Sequence, residues 1–279
     1  MRPRGFTLIE LIIVIVLLAI VAGFSFRFVG IGSAMYATGA ARVKLLDQSR
    51  FSIERVKREV RNSVPNSARV YSGTTGGSDY QCLEFVPVKW AASYYDLPRA
   101  ANPDETFTAV SLTAATDNLT ATGSHYDRLI VYATRQSQIY SEDDGAKKRR
   151  WSKLANDITL ATPPRDIELT VATGYLFQRT SPQQRLFVGQ APVSYCVIGD
   201  ELARYSDYGW IRTGNALPSV PPQLMGENIT NLLSPVTVPF IVENATLYEN
   251  NIVHIVLTYQ TDAGERLFYN QEVHIPNAP

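Results

Sequence analysis

Apolar positions crowd the start of the chain and then fall into two different rhythms. From Phe6 to Phe26 the residues are apolar or small, with Glu10 the single charge in the run. As a helix those 21 residues would extend about 31 Å at 1.5 Å per residue, which matches the ~30 Å hydrocarbon core of a bilayer. No proline stands between Pro3 and Pro65, so the helix can continue well beyond such a span. In its second half Leu46, Ser49, Ile53, Val56 and Val60 recur at steps of three and four, the spacing of one face of a polar helix. Asn62-Ser63-Val64-Pro65 reads as its end, because the residue before proline disfavours helical geometry.

Beyond Pro65 the rhythm shortens to two. Strands are predicted over 81–88, 106–112, 128–134, 167–171, 185–198, 201–212, 236–242, 252–260 and 266–275, the last two joined by the turn-rich Thr261-Asp262-Ala263-Gly264-Glu265. Loops are predicted over 72–79, 98–105 and 217–227, where Gly, Ser, Asn, Asp and Pro gather. The fold class is therefore α+β: a long N-terminal helix, its first half transmembrane, packed on a largely antiparallel β-sheet domain. The chain divides into 1–5, a basic leader; 6–29, a membrane helix; 30–64, the amphipathic half of that helix; and 65–279, a β-rich globular part.

Charge changes the picture only at the N-terminus. The 26 basic and 26 acidic residues balance, which gives no electrostatic reason for nucleic acid as a partner. Arg2 and Arg4 precede the apolar run, and the positive-inside rule puts them in the cytoplasm with the globular part across the membrane. A secretory signal would have a shorter apolar core followed by a small-x-small site. Here the natural cut lies before the apolar run, at Gly5, and would leave the helix attached. The basic run Arg50, Arg55, Lys57, Arg58, Arg61 reads as a solvated face near a helix C-terminus, where cations suit the dipole.

Candidate chemistry is sparse. The three histidines, His125, His254 and His274, stand in no nucleophile or metal-ligand spacing, although His254 and His274 could face each other across the last hairpin. Glu142-Asp143-Asp144-Gly145 lacks the alternation of a calcium loop. No catalytic residue and no cofactor or metal is expected. Cys82 and Cys196, if outside the cytoplasm, make one disulfide the simplest expectation, two separate buried thiols being the alternative.

Glu10 is the anomaly, since a carboxylate in a membrane helix is costly unless it lies near the surface or meets a partner. Gly5-Phe6-Thr7-Leu8-Ile9-Glu10, basic before and apolar after, resembles the class III signal of type IV prepilins and type II secretion pseudopilins. The resemblance implies a membrane peptidase that cuts between Gly5 and Phe6 and N-methylates Phe6. It also implies that Glu10 forms an assembly salt bridge with the N-terminal amine of a neighbouring subunit. Partners so implied are other pilin subunits, major and minor, through the N-terminal helix, the prepilin peptidase, an inner-membrane assembly platform and, before assembly, inner-membrane lipid.

Further stretches are similar to minor pilins of the mannose-sensitive haemagglutinin pilus: Ser49-Arg50-Phe51-Ser52-Ile53-Glu54-Arg55, Arg61-Asn62-Ser63-Val64-Pro65-Asn66-Ser67, Cys82-Leu83-Glu84-Phe85-Val86-Pro87, Tyr94-Tyr95-Asp96-Leu97-Pro98 and Glu272-Val273-His274-Ile275-Pro276-Asn277. They imply a low-abundance subunit that starts or caps a pilus used in surface attachment. Two other readings stand beside it: a J-type pseudopilin of a type II secretion system, and a tip adhesin stacking glycans on exposed Trp90, Tyr94, Tyr208 and Trp210. A membrane-tethered enzyme is the least supported, for want of a catalytic constellation.

Overall fold

The computed structural model describes residues 6–99, 104–110, 118–140, 150–158, 166–210, 214–231, 238–243 and 251–276. One helix, α1 (Leu8–Arg61), runs 54 residues, about 81 Å. Its C-terminal part buries Leu45, Ser49, Ser52, Ile53, Val56 and Val60. The buried stripe thus begins at Leu45 rather than the expected Leu46, which is only half-buried, and it includes the polar Ser52. Both serines are accommodated by hydroxyl partners: Ser49 meets the Tyr269 hydroxyl at 2.9 Å and Ser52 meets that of Tyr259 at 2.8 Å. The helix stops at Asn62, whose N–H still donates to the Arg58 carbonyl, and Pro65 follows.

Two sheets wrap that buried stripe. The first has strand order β1 (Arg69–Thr75), β2 (Ser78–Phe85), β9 (Val193–Ile198), β10 (Glu201–Tyr205), β11 (Gln223–Gly226). The second has order β12 (Phe240–Glu243), β13 (Asn251–Gln260), β14 (Arg266–Ile275). An antiparallel bridge from Ile229 to Tyr259 connects the two beyond β11. Their inner residues, among them Leu83, Phe85, Tyr195, Val197, Leu202, Phe240, Val253, Ile255, Leu257 and Tyr259, close on Ile53, Val56 and Val60 in a single core. We call this unit the shell.

The rest of the chain between β2 and β9 forms a second unit. Its sheet has order β6 (Trp151–Lys153), β5 (Arg128–Ile130), β8 (Arg185–Gly189), β3 (Val88–Tyr95), β4 (Thr106–Val110), β7 (Asp166–Thr170), every named neighbour antiparallel. The two outermost strands also meet: Leu154 bridges Val171, the Ala155 N–H donates to Thr170 and the Ala172 N–H to Lys153. The sheet therefore closes on itself as a small barrel. Alternate residues of its strands, including Trp90, Tyr94, Phe107, Leu129, Leu154, Leu169, Leu186 and Val188, fill the interior as a core separate from that of the shell. The short helix α2 (Gln136–Tyr140) packs with Val64, Val86, Ile130, Trp151 and Trp210 between the two units.

Several predicted boundaries are corrected. The expected loop 72–79 is instead the tip of the β1–β2 hairpin, turned by Gly76 and Gly77, both at positive φ, as a two-residue connection requires. The expected loop 217–227 contains β11, and β6 and all of β3 beyond Val88 lie where no strand was expected. The single strand expected over 185–198 is two strands in different sheets, broken where Pro192 lacks the N–H a ladder needs. Strand 128–134 ends at Ile130 and strand 201–212 at Tyr205, strand 236–242 begins at Phe240, and 81–88 divides into the end of β2 and the start of β3. Positions 111–112, 211–212 and 236–237 lie outside the described residues.

Candidate functional site

The stem of the molecule is its unusual feature. Every residue from Leu8 to Lys44 is exposed, and the exposed set includes Leu11, Ile12, Val14, Leu17, Ile20, Phe24, Phe28 and Tyr36. That is about 55 Å of helix at 1.5 Å per residue, met by its own body, among the described residues, where Arg42 pairs with Glu265 at 3.1 Å. A helix apolar on all sides requires a non-aqueous surround or other protein. By length and composition this helix is the one among the described residues able to cross a membrane.

At its tip Thr7 holds an extended backbone, φ −83° and ψ 145°, and stands just outside the helix. The Thr7 carbonyl accepts the N–H groups of Glu10 at 3.1 Å and Leu11 at 3.2 Å. Its hydroxyl donates to a Glu10 carboxylate oxygen at 3.5 Å. Glu10 lies in the first helical turn, where the positive end of the helix dipole favours an acid, and its side chain, like that of Phe6, is exposed. The sequence places Phe6 and Glu10 in one motif, and the fold sets both at the tip of the stem. It also brings in Thr7, which the sequence reading passed over although its spacing to Glu10 has the form of a capping box. Gly5, with Arg2 and Arg4, lies outside the described residues, as do Glu142, Asp143, Asp144 and Gly145.

Other candidates resolve differently. Cys82 and Cys196 are joined in a disulfide and face each other across the β2–β9 pair. Tyr71, Tyr80 and Tyr205 pack around them. The glycan platform is corrected: Trp90, Tyr94 and Trp210 are buried at 5, 2 and 4% exposure, and Tyr208 is half-buried with its hydroxyl donating to Glu84 at 2.9 Å. Trp90 and Tyr94 line the barrel interior. Trp210 lies 4.1 Å from the Arg128 guanidinium, which also stacks on Trp151 at 3.7 Å. That cation–π cluster stabilises a buried arginine and leaves no ring open for a sugar. Nor do the two strand histidines face each other: His254 is opposite Glu272, and His274 is opposite Ile252. His254 also meets Glu243 at 3.2 Å.

A polar cleft of about 810 Å³ opens where the end of α1 meets the barrel. Several of its charges pair with each other: Arg55 and Arg204 both hold Glu59 at 3.0 Å, and Lys89 holds Asp127 at 2.9 Å. Burial raises the Asp127 pKa, offset in part by the Thr120 N–H and Lys89. Among the described residues no group of three or more His, Cys, Asp or Glu side chains gathers in the manner of a metal site.

An exposed apolar stem, an acid in its first turn and a globular unit at its far end define a subunit built to be anchored and packed by that stem. Residues 1–26 match a family model, the prokaryotic N-terminal methylation motif. The motif indicates a type IV pilin-like or pseudopilin-like protein, anchored in a membrane, processed by a prepilin peptidase and assembled with other pilins; it marks structural subunits rather than catalysts. No curated protein and no solved structure matches the chain.

Proposed function

We propose that this chain is a minor subunit of a type IV pilus of the mannose-sensitive haemagglutinin type, similar to its MshO subunit. It acts in initiation, assembly or capping of a filament that supports surface attachment. The observation that supports a pilin-like subunit is the bare stem, apolar on every side, headed by Phe6 and Glu10 and lying behind the methylation motif; the stretches similar to minor pilins of that pilus support the finer reading. The precursor sits in the inner membrane with its N-terminus cytoplasmic and the shell and barrel in the periplasm, where a disulfide can form. The peptidase cuts after Gly5 and methylates Phe6. Glu10, a costly charge while alone in lipid, gains the N-terminal amine of a neighbour on assembly.

Mass spectrometry of the mature protein tests this. The expected N-terminus is N-methylated Phe6; a mature chain that begins at Met1 overturns the reading. Glu10→Ala subunits, still processed, are expected at less than about a tenth of the wild-type level in purified filaments, since an unpaired charge of this kind is worth a few kcal/mol. Equal incorporation removes the pairing role. Recovery of the wild-type subunit from a periplasmic pseudopilus instead of surface pili would move it to the type II secretion branch.

A further inference from the structure

The barrel leaves the shell and returns to it through two chain segments that lie side by side. Going out, β2 ends at Phe85 and β3 begins at Val88; coming back, β8 ends at Gly189 and β9 begins at Val193. The two segments stay paired through the junction, with Phe85 opposite Val193 on one side and Val88 opposite Gly189 on the other. Between these pairs the Gln190 N–H donates to the Pro87 carbonyl. The neck is thus a two-stranded ribbon continuous with both sheets, with Pro87 and Pro192 between its paired ends.

Everything from Val88 to Gly189 in the described structure belongs to the barrel and α2. None of the residues in the core around Ile53, Val56 and Val60 comes from that stretch. The barrel and α2 meet the helix exit and the start of β1 through Val64, through hydrogen bonds from Asn66 to the Ala133 carbonyl, Gln136 to the Ala68 carbonyl and Tyr140 to the Ser67 carbonyl, and through Arg69 stacked on Tyr140. They cover none of the apolar stripe that holds the stem. The disulfide joins β2 to β9 on the shell side of the neck, so the shell pairing is covalently closed without help from the barrel. Units with adjacent termini and a core of their own are those that insertions and excisions tolerate.

We infer that the barrel is an inserted module, physically separable from the part that anchors and assembles the subunit: stem and shell suffice for membrane insertion, disulfide formation and entry into a filament, and the barrel carries a separate role. The inference rests on the filament reading for its last step only. It predicts that β2 and β9 form an ordinary hairpin once the barrel is removed, because Phe85 and Val193 are already directly opposite.

The test is the full-length chain with residues 86–192 replaced by Asn-Gly, a two-residue hairpin loop. Val64→Thr and Trp210→Gln are added to blunt the surface that the barrel covered. The expected result is a membrane-anchored chain with Cys82 and Cys196 oxidised and with filament incorporation within about threefold of the intact subunit. A shell that fails to fold, or one that folds and stays out of filaments, overturns the inference. A second measurement uses the intact chain in detergent micelles: native-state hydrogen exchange is expected to show amides of β3, β5 and β8 opening as one unit, separate from β2, β9 and β13. A single shared opening also overturns it. If the intact subunit is itself missing from filaments, the filament reading fails, while oxidation and exchange still decide whether the barrel is a module.

Discussion

Tyr259 shows how one side chain ties the stem to the shell. It is fully buried on β13, edge-on to Tyr269, with its hydroxyl 2.8 Å from Ser52 of the helix. Burial pushes the phenol up to about 12, against a smaller downward pull from the Ser52 hydrogen bond. The unfolded phenol ionises near pH 10, so its contribution is intact below pH 10 and is lost as pH rises towards 12, where the unfolded chain ionises first. A two-unit difference corresponds to a few kcal/mol at most. Urea unfolding in detergent should therefore show stability falling between pH 10 and pH 12, and Tyr259→Phe should flatten that fall while costing about 1 kcal/mol at pH 7. A variant with the same alkaline slope as the parent would assign the loss to other tyrosines. Ser52 was illegible in the sequence: a serine on a polar helix looks solvated, and its acceptance into the core depends on a hydroxyl 207 positions away. Phe6 and Glu10 were legible because their signal is local, a charge misplaced in an apolar run behind a basic leader.

Elements were readable in proportion to their regularity. The alternation of β13, buried and half-buried in turn over ten residues, and its partner β14 could be placed from sequence, as could both ends of α1. β1, β6 and β11 were missed because their pairing, rather than their composition, makes them strands; β3, whose Val, Trp and Tyr suit a strand, was read only at its first residue. β1 carries Ser-Gly-Thr-Thr, and β6 is three residues long between Arg128 and the barrel seam. The split of 185–198 into two sheets was marked by Pro192, whose effect on a ladder the alternation outweighed. Two predictions belong at this scale. Replacing Cys82 and Cys196 by Ser should lower stability by roughly 4–5 kcal/mol in the chain-entropy model, since the bridge closes a separation of 114 residues; thermal melts with and without reductant measure it. Gly189, at the neck, is the other. A Cβ there would lie 2.5 Å from the Val86 side chain, with Ile130 and Val64 also close. Gly189→Ala should cost about 1–3 kcal/mol as an overpacked contact, read as an earlier denaturant midpoint.

The whole molecule divides into a stem that its own chain leaves uncovered and a body that buries it only from Leu45 onwards. Removing residues 1–40 should therefore leave the body intact, because the Arg42–Glu265 ion pair and every buried helix residue remain. The shortened chain is expected to run as a detergent-free monomer on size exclusion with a melting temperature within about 3 °C of the parent, a shift that represents roughly 1–1.5 kcal/mol for a domain of this size. Aggregation or a large drop in melting temperature would mean that the exposed stem stabilises the body. The division between stem and body could be read from hydropathy alone. The division of the body into shell and barrel could not, since both are built from short alternating strands and only long-range pairing separates them.

Closure of the barrel has a consequence for crowding. Leu154 and Val171 fasten the first and last staves together, so that where they meet, backbone groups that would otherwise line two open edges bond to each other and offer less for another copy to zip onto. Placed among the bodies of other pilins, such a lobe can touch its neighbours repeatedly and still let go.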